Sequence, residues 1–541
     1  MPWIGFLPAE CFDEILNHLQ NDQSSLYSCL FVSRFWCTRI IPFLWKKPFA
    51  LQRMHGFVPL IRTYLSCLNK VEQSQLIPCY IDLPHDHLLF EYGKYLQDLS
   101  YESLHLSVRS WLYNENEKHI LRSLQRNNDC RIGAIMRALF QMFMRQCTNL
   151  KGLTIGPMSI YDIPNVSIFS SASIGLSRLD HFQFYMYDEN DGKNFPNVVN
   201  LFRNMPSLCS SLFRLDILLD VTSNYPVETI DIVNLIRAQR ALNGFYLLYR
   251  GDGCQYIISA LRPHANFLTS LVFDSLQFSN ISLKPLSICA HLTSFTMISC
   301  QNVTIKHCHD LCKAPFHLKT LTLDDNDMPS TATISLIVKA GKDLKANTLS
   351  LSHITPEVID AASQHCPNIT YLNIEIARAL YDKIFAWIKK LNLYGLSFDS
   401  LDSTYNNTSE ILSRLAQCLP PTLWFLEMNC SFSTDDMIQF INTCSSPLSH
   451  WIITSDDGSG NFTDMPLVLI DRFFNTRNTL KVLGLCGPFT DLAWNIQSLE
   501  IIKSLEERGV KVVDTREVHL DFTLNGDFSF TVLEQLSAFE D

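Results

Sequence analysis

From about residue 100 onward, one spacing of apolar positions recurs: apolar-x-x-apolar-x-apolar. It reads Leu150-x-x-Leu153-x-Ile155, then repeats from Leu179, Leu212, Leu242, Leu268, Leu292, Leu318, Ala346, Ile369, Ile388, Leu423, Leu448 and Leu480. The twelve steps average about 27 residues, a period that marks stacked supersecondary units. Alternation inside each motif predicts a strand with one face in a core and one open. The stretches between motifs read as helices, for example Pro356–Ser363, with proline suited to a first helical turn. Such a unit buries its apolar side only against its neighbours, so the pattern predicts a solenoid. Leu104-His105-Leu106 reads as an early strand. Residues 57–65 and 132–144 read as helices of an N-terminal cap. At the far end, Ile501–Gly509 reads as a helix closed by a C-cap glycine, and Val510–Val513 as a last strand.

The first forty-five residues follow a different period. Phe12, Ile15, Leu16 and Leu19 fall at i, i+3, i+4 and i+7, one apolar stripe on a helix. Pro8 and Glu10 suit its first turn. A second helix is expected to carry Leu26, Cys29, Leu30, Val32 and Trp36, capped by Ser24 or Ser25. Pro42 is expected to interrupt a third, ahead of Leu44-Trp45. Helices this short do not build an independent core and need a partner.

The order Leu7-Pro8 with Glu10, Ile15-Leu16, Leu19, Val32-Ser33-Arg34-Phe35-Trp36 and Leu44-Trp45 resembles the F-box, the adaptor-binding module of SCF ubiquitin ligases. Ser33 stands where that family usually has cysteine. The repeat spacing resembles leucine-rich repeats, in the irregular cysteine-type form found behind F-boxes. Cys300 and Asn326 occupy the position, eight residues after the first anchor, where such repeats place Cys or Asn. The combination is most similar to the expanded fungal F-box families. It implies an α/β chain: F-box helices followed by an irregular leucine-rich-repeat solenoid, a right-handed α/β horseshoe. The expected divisions are an F-box over 1–50, a helical linker and cap over 51–146, degenerate repeats over 147–490, and a C-terminal cap and tail over 491–541. The resemblance further implies a non-catalytic substrate receptor that docks on a Skp-type adaptor and, through it, on cullin. The adaptor-binding residues it implies are Leu7, Pro8, Ile15, Leu16, Leu19, Leu26, Val32, Trp36, Leu44 and Trp45. One alternative is a repeat scaffold whose F-box acts outside a ligase; another is a receptor completed by a small ligand.

Composition narrows the partners. The chain has 541 residues, 47% hydrophobic and 18% charged, with a net charge of −11. Without a basic stripe, nucleic-acid binding is not expected, because phosphate neutralisation supplies most non-specific affinity. No apolar run approaches the roughly 20 residues that span a bilayer, so no membrane partner is expected. The N-terminus lacks a secretory pattern. Eighteen scattered cysteines fit free thiols in a reducing compartment, cytoplasmic or nuclear.

Chemistry-bearing motifs are sparse. Cys300, His307, Cys308, His309 and Cys312 form the densest Cys/His group, but they lack two paired-cysteine arms, so no metal site is expected. Asp324-Asp325-Asn326-Asp327 reads as an acidic turn, lacking the glycine and distal Glu of a calcium loop. No phosphate loop, nucleophile elbow or zinc-protease motif occurs. No catalytic residue and no cofactor is expected. Function is then expected on surfaces. The outward strand positions read Asp216, Tyr246, Thr296, Thr322, Asn373, Asn392 and Glu427. One step past the last anchors come Tyr185, Asp274, Asp324, Glu375, Tyr394 and Asn429. Acidic, Tyr and Asn residues dominate and no Lys appears. The expected face for a protein substrate of unknown identity is Asp274, Asp324, Glu375, Tyr394 and Glu427, tuned to a basic or polar segment.

Overall fold

The computed structural model describes residues 9–19, 23–49, 58–81, 83, 88–117, 128–156, 162–165, 167–170, 176–187, 195–220, 227–251, 253–341, 347–400, 409–429, 434–454, 464–477, 479–485 and 496–514. Two compact units divide the chain, Met1–Phe267 and Leu268–Asp541.

The first unit opens with α1 (Ala9–His18), α2 (Gln23–Cys29) and α3 (Arg34–Leu44). Phe12, Leu16, Leu26 and Ile40 form a small core of their own, with Leu19, Cys29, Leu30, Trp36, Phe43 and Leu44 packed against it. Three expectations change here. The second helix ends at Cys29, so Val32 lies in a turn and Trp36 on α3. Helix α2 begins at Gln23, which places Ser24 and Ser25 inside its first turn rather than at its cap. Proline does not interrupt α3: Pro42 sits inside it, and the Trp45 N–H still donates to the Ile41 carbonyl at 3.0 Å. Near a helix end the missing proline donor costs a single bond. Ser33 is the N-cap of α3 and accepts from the Trp36 N–H at 3.3 Å.

A cap follows, built from α4 (Val58–Ser66), α5 (Lys70–Ser74), α6 (Tyr101–Glu117) and α7 (Asn128–Gln146). Asn69 and Glu72 close a capping box on α5. Buried Glu72 also takes Arg145 of α7 in a two-pronged pair at 2.8 Å. The strands of this unit are β1 (Asp98–Ser100), β2 (Gly152–Ile155), β3 (His181–Tyr187), β4 (Arg214–Asp220) and β5 (Gly244–Tyr249), each parallel to the one before. The array thus starts earlier than residue 147. Its first motif is Leu96-x-x-Leu99-x-Tyr101, all three buried. The expected strand at Leu104–Leu106 is part of α6, where Leu104, Val108, Trp111 and Leu112 make a helical stripe instead. One device pins each strand. The N–H groups of Lys151 and Gly152 both donate to the Gln97 carbonyl, those of Asp180 and His181 to Lys151, and those of Phe213 and Arg214 to Asp180. Lys46, just after α3, accepts from Gln97 and Asp98 in the same way, which bonds the end of the N-terminal helices to the array.

The second unit carries β6 (Ser270–Asp274), β7 (Ser294–Ile298), β8 (Thr320–Asp324), β9 (Asn347–Leu351), β10 (Ile369–Ile376), β11 (Gly395–Ser400), β12 (Phe425–Asn429), β13 (His450–Thr454), β14 (Val482–Leu485) and β15 (Lys511–Asp514). All ten pair in parallel and in chain order. Helices return between most of them, the connection parallel strands require. Both units therefore have the α/β leucine-rich-repeat arrangement, and the last strand falls in the segment expected as a cap. Anchors such as Leu271, Phe273, Phe295, Met297, Leu321 and Leu323 are buried; Ala346 lies outside the described residues. One motif is misplaced: Ile388 ends the helix Tyr381–Ile388, and β11 begins at Gly395. The true anchors are Leu393, Leu396 and Phe398, all buried. Helical and strand periods overlap over 388–398, where leucines satisfy both.

Candidate functional site

The N-terminal helices divide the expected adaptor residues into three groups. Leu16 and Leu26 are fully buried and hold the three helices together; Leu19, Trp36 and Leu44 pack on that core. Trp45 packs on Tyr64 (centroids 5.2 Å) and Tyr92 (4.2 Å), placing its ring at the junction with the cap. Ile15 and Val32 face outward, Val32 being 61% exposed. Leu7 and Pro8 lie outside the described residues. Around Val32 the chain exposes three more large apolar side chains, Tyr27, Phe31 (74% exposed) and Phe35. Tyr27 and Phe31 meet edge to face at 5.4 Å, and Phe35 leans on Phe12 at 5.3 Å. Scattered exposed apolar residues are ordinary, but several on one short segment are not. Sequence periodicity missed Phe31 and Phe35 because they belong to the turn and to the outer side of α3.

On the open face of the first unit, the polar groups satisfy one another. Asp216 is almost wholly buried, accepts from the Arg214 guanidinium at 3.0 Å, and lies 2.9 Å from His181 Nε2. Tyr185 and Tyr246 are buried beside it. Thr154 donates to Gln183 at 3.3 Å.

The open face of the second unit differs. Register places Thr322, Ser350, Asn373, Ser397 and Glu427 in one row, and Glu375, Asp399 and Asn429 in the next, with Asp324 ending β8 two residues past Thr322. Thr296 and Thr322 are shielded from solvent, and Glu427 is 6% exposed, so these central positions do not form the accessible face expected of them. Neighbouring strands about 4.8 Å apart crowd the middle of each strand. Asp274 and Glu375 are half-buried at the strand ends. Both carboxylate oxygens of Asp324 accept from the Ser350 hydroxyl, at 2.9 Å, and Asn373 in turn donates to Ser350. Burial pushes the Asp324 carboxyl up to about 6; the Ser350 bonds oppose the shift, while Glu375 and Asp325 add to it. Tyr394 and Asn392 precede β11 instead of lying at the outward positions expected of them, a consequence of the shifted motif. Tyr394 remains 44% exposed, its ring 6.5 Å from Tyr371. Beside it the apolar pair Phe425 and Ile452 is covered by Tyr371 and Trp424, residues the spacing did not single out.

The acidic turn and the Cys/His group have structural roles. Asn326 accepts from the Cys300 N–H at 2.9 Å and donates to the Met297 carbonyl at 2.8 Å, while the Cys300 thiol donates to Phe273 at 3.5 Å. Ser275, Ser299, Asp325 and His353 each adopt a left-handed backbone just past a strand, with φ between 49° and 54°. An open depression of about 480 Å³ lies there, lined in part by Ser299, Asp325, Asp327 and His353. His307 caps the helix Ile305–Cys312, accepting from the Thr304 N–H at 3.0 Å. Burial pushes the Cys308 thiol up to about 12, far from a reactive thiolate. A second cysteine series escaped the sequence reading. Cys147, Cys209, Cys289 and Cys366 each sit three residues before a motif, and the Cys147 thiol donates to Leu96 at 2.9 Å.

Among the described residues, no helix is long and apolar enough to cross a membrane. No protein-family model matches the chain, and no curated protein matches it. Among solved structures, the chain is similar to the leucine-rich repeat-containing protein LegL7 from Legionella pneumophila. That pairing has 12% identity and a TM-score of 0.30, over 62% of this chain and 94% of that one. It is also similar to the Rad7 and Elc1 complex in yeast, at 13% identity and a TM-score of 0.38, over 77% of this chain and 94% of that one.

Proposed function

We propose that this chain is the non-catalytic substrate-recognition subunit of an SCF-type ubiquitin ligase. In this reading α1–α3 dock on a Skp-type adaptor that connects to cullin, and the strand faces hold the protein substrate. The observation that carries it is the apolar patch of Ile15, Tyr27, Phe31, Val32 and Phe35 on a three-helix unit with its own small core. The patch lies within the residues that resemble the F-box. Its apolar anchors are the kind of side chain that dominates binding, at about 2 kcal/mol or more each. Catalysis belongs to the other subunits of the ligase; the chain contributes position only.

The test is affinity purification from the native cell, comparing wild type with Val32→Asp and with the Leu7→Ala, Pro8→Ala pair. Val32 is exposed, so its substitution leaves the buried core intact. Adaptor and cullin recovered with wild type and lost with both variants are the expected result. Adaptor without cullin assigns the chain to scaffolding outside a ligase. Recovery of neither with wild type removes the receptor reading.

A further inference from the structure

We propose that the open face of β8–β13 captures an extended segment carrying Arg or Lys four residues from a large apolar side chain. This builds on the receptor reading and names its substrate class. Two features lie on the same face at a fixed separation. At one end of the strands, Phe425 and Ile452 form an apolar cluster against which Tyr371 and Trp424 pack, with the half-exposed Tyr394 at its edge. Gly395 makes room for this: a Cβ there would stand 2.5 Å from Cδ1 of Tyr371, so the ring lies across β11. At the other end, Leu323 and Ile374 align through Leu351, and Asp324 and Glu375 are the residues that follow them on β8 and β10.

Tyr371 and Glu375 are four residues apart on one face of β10, roughly 13 Å at strand rise. An extended ligand has the same rise and alternation, so its side chains at i and i+4 stand at that separation on one side. One can lie among Tyr394, Tyr371 and Trp424 while the other reaches Glu375 and Asp324.

Charge selects the second residue. The half-buried open-face positions at the ends of β8, β10 and β11 are Asp324, Glu375 and Asp399, and no open-face position of β8 to β12 is Lys or Arg. A guanidinium or ammonium is the complementary group. The aromatic rims also accept a cation, which tolerates the reverse chain direction. A phosphate-bearing ligand meets like charge and is disfavoured.

The test uses the full chain and a displayed library of randomised nonapeptides, panned on wild type and on the Asp324→Asn, Glu375→Gln double variant. Enrichment of Arg or Lys four residues from an aromatic or Leu/Ile/Met is the expected result. Enriched peptides are then to bind about tenfold more weakly to the double variant and to Tyr394→Ser by anisotropy, with the double variant melting no lower than wild type. Enrichment without basic residues, equal affinity for the double variant, or no enrichment overturns the proposal. Adaptor recovery is scored separately on the double variant. Basic peptides bound by a chain that recovers no adaptor would remove the ligase reading and leave this one standing.

Discussion

The two strand faces place carboxylates in opposite circumstances. In the first unit, buried Asp216 is held by Arg214 and lies against His181. In the second, Asp324 is held by the Ser350 hydroxyl, and burial, with a smaller contribution from Glu375, still raises its carboxyl to about 6. The same repeat architecture supports both. A buried carboxylate with its own cation is complete within the chain, and breaking the pair strands a charge. One held only by hydroxyl donors keeps part of its electrostatic potential for something outside. The pairing in the first unit gives Asp216 a structural role; Asp324 and Glu375 in the second are the carboxylates on which the capture proposal draws.

The sharpest way to break this contrast is Arg214→Met. It leaves Asp216 buried with only His181 as a possible counter-charge, and a loss of about 3 kcal/mol is expected in urea unfolding. Adding Asp216→Asn should recover most of it. A cost below about 1 kcal/mol would show that Asp216 does not depend on Arg214.

Asp324→Asn should act in the other direction. An ordinary aspartate titrates near 3.8, and Asp324 near 6 when folded. Between those values the folded chain holds a proton the unfolded chain has released. Stability from that proton is full at low pH and is lost as pH rises through about 6. Asn removes this slope, so the variant should gain on wild type between pH 4 and pH 7.5. The ceiling is about 3 kcal/mol, less what solvent screening removes. Equal pH profiles would place the Asp324 carboxyl in an ordinary environment.

Much of this contrast lies beyond what periodicity can reveal. Apolar spacing located most strands because burial of Leu215 or Leu321 is a local, alternating signal. It failed at 388–398, where Ile388 serves a helix and Leu393 a strand. It also failed at 98–106, where the short β1 passes directly into α6. The adaptor residues were legible as a group but not individually, since a stripe cannot distinguish Leu16, which fills a core, from Val32, which faces out. The partner of Asp216 is two residues away in sequence, yet Arg214 looks no different there from an exposed arginine. The aromatic cluster of Tyr371, Trp424 and Phe425 depends on register across three strands, a relation no single segment contains.

The smallest expected effect separates the two faces by glycine. Gly244 and Gly395 both begin strands, at the first outward position of β5 and β11. At Gly244 a Cβ would meet the Arg214 side chain at 3.2 Å, the stem of a flexible residue. At Gly395 it would meet the Tyr371 ring at 2.5 Å, with Phe425 at 3.4 Å behind it. Gly→Ala in a strand gains on the order of 0.5 kcal/mol from the unfolded state, so Gly244→Ala should be near neutral. Gly395→Ala should cost about 1 kcal/mol through the displaced ring, and it should weaken peptide capture more than it weakens the fold. Near-ultraviolet circular dichroism with thermal melts of the two variants makes the comparison. Matching melts and matching aromatic signals would mean that the Tyr371 ring moves aside freely, and Gly395 would then not be what holds the aromatic half of the proposed capture face in place.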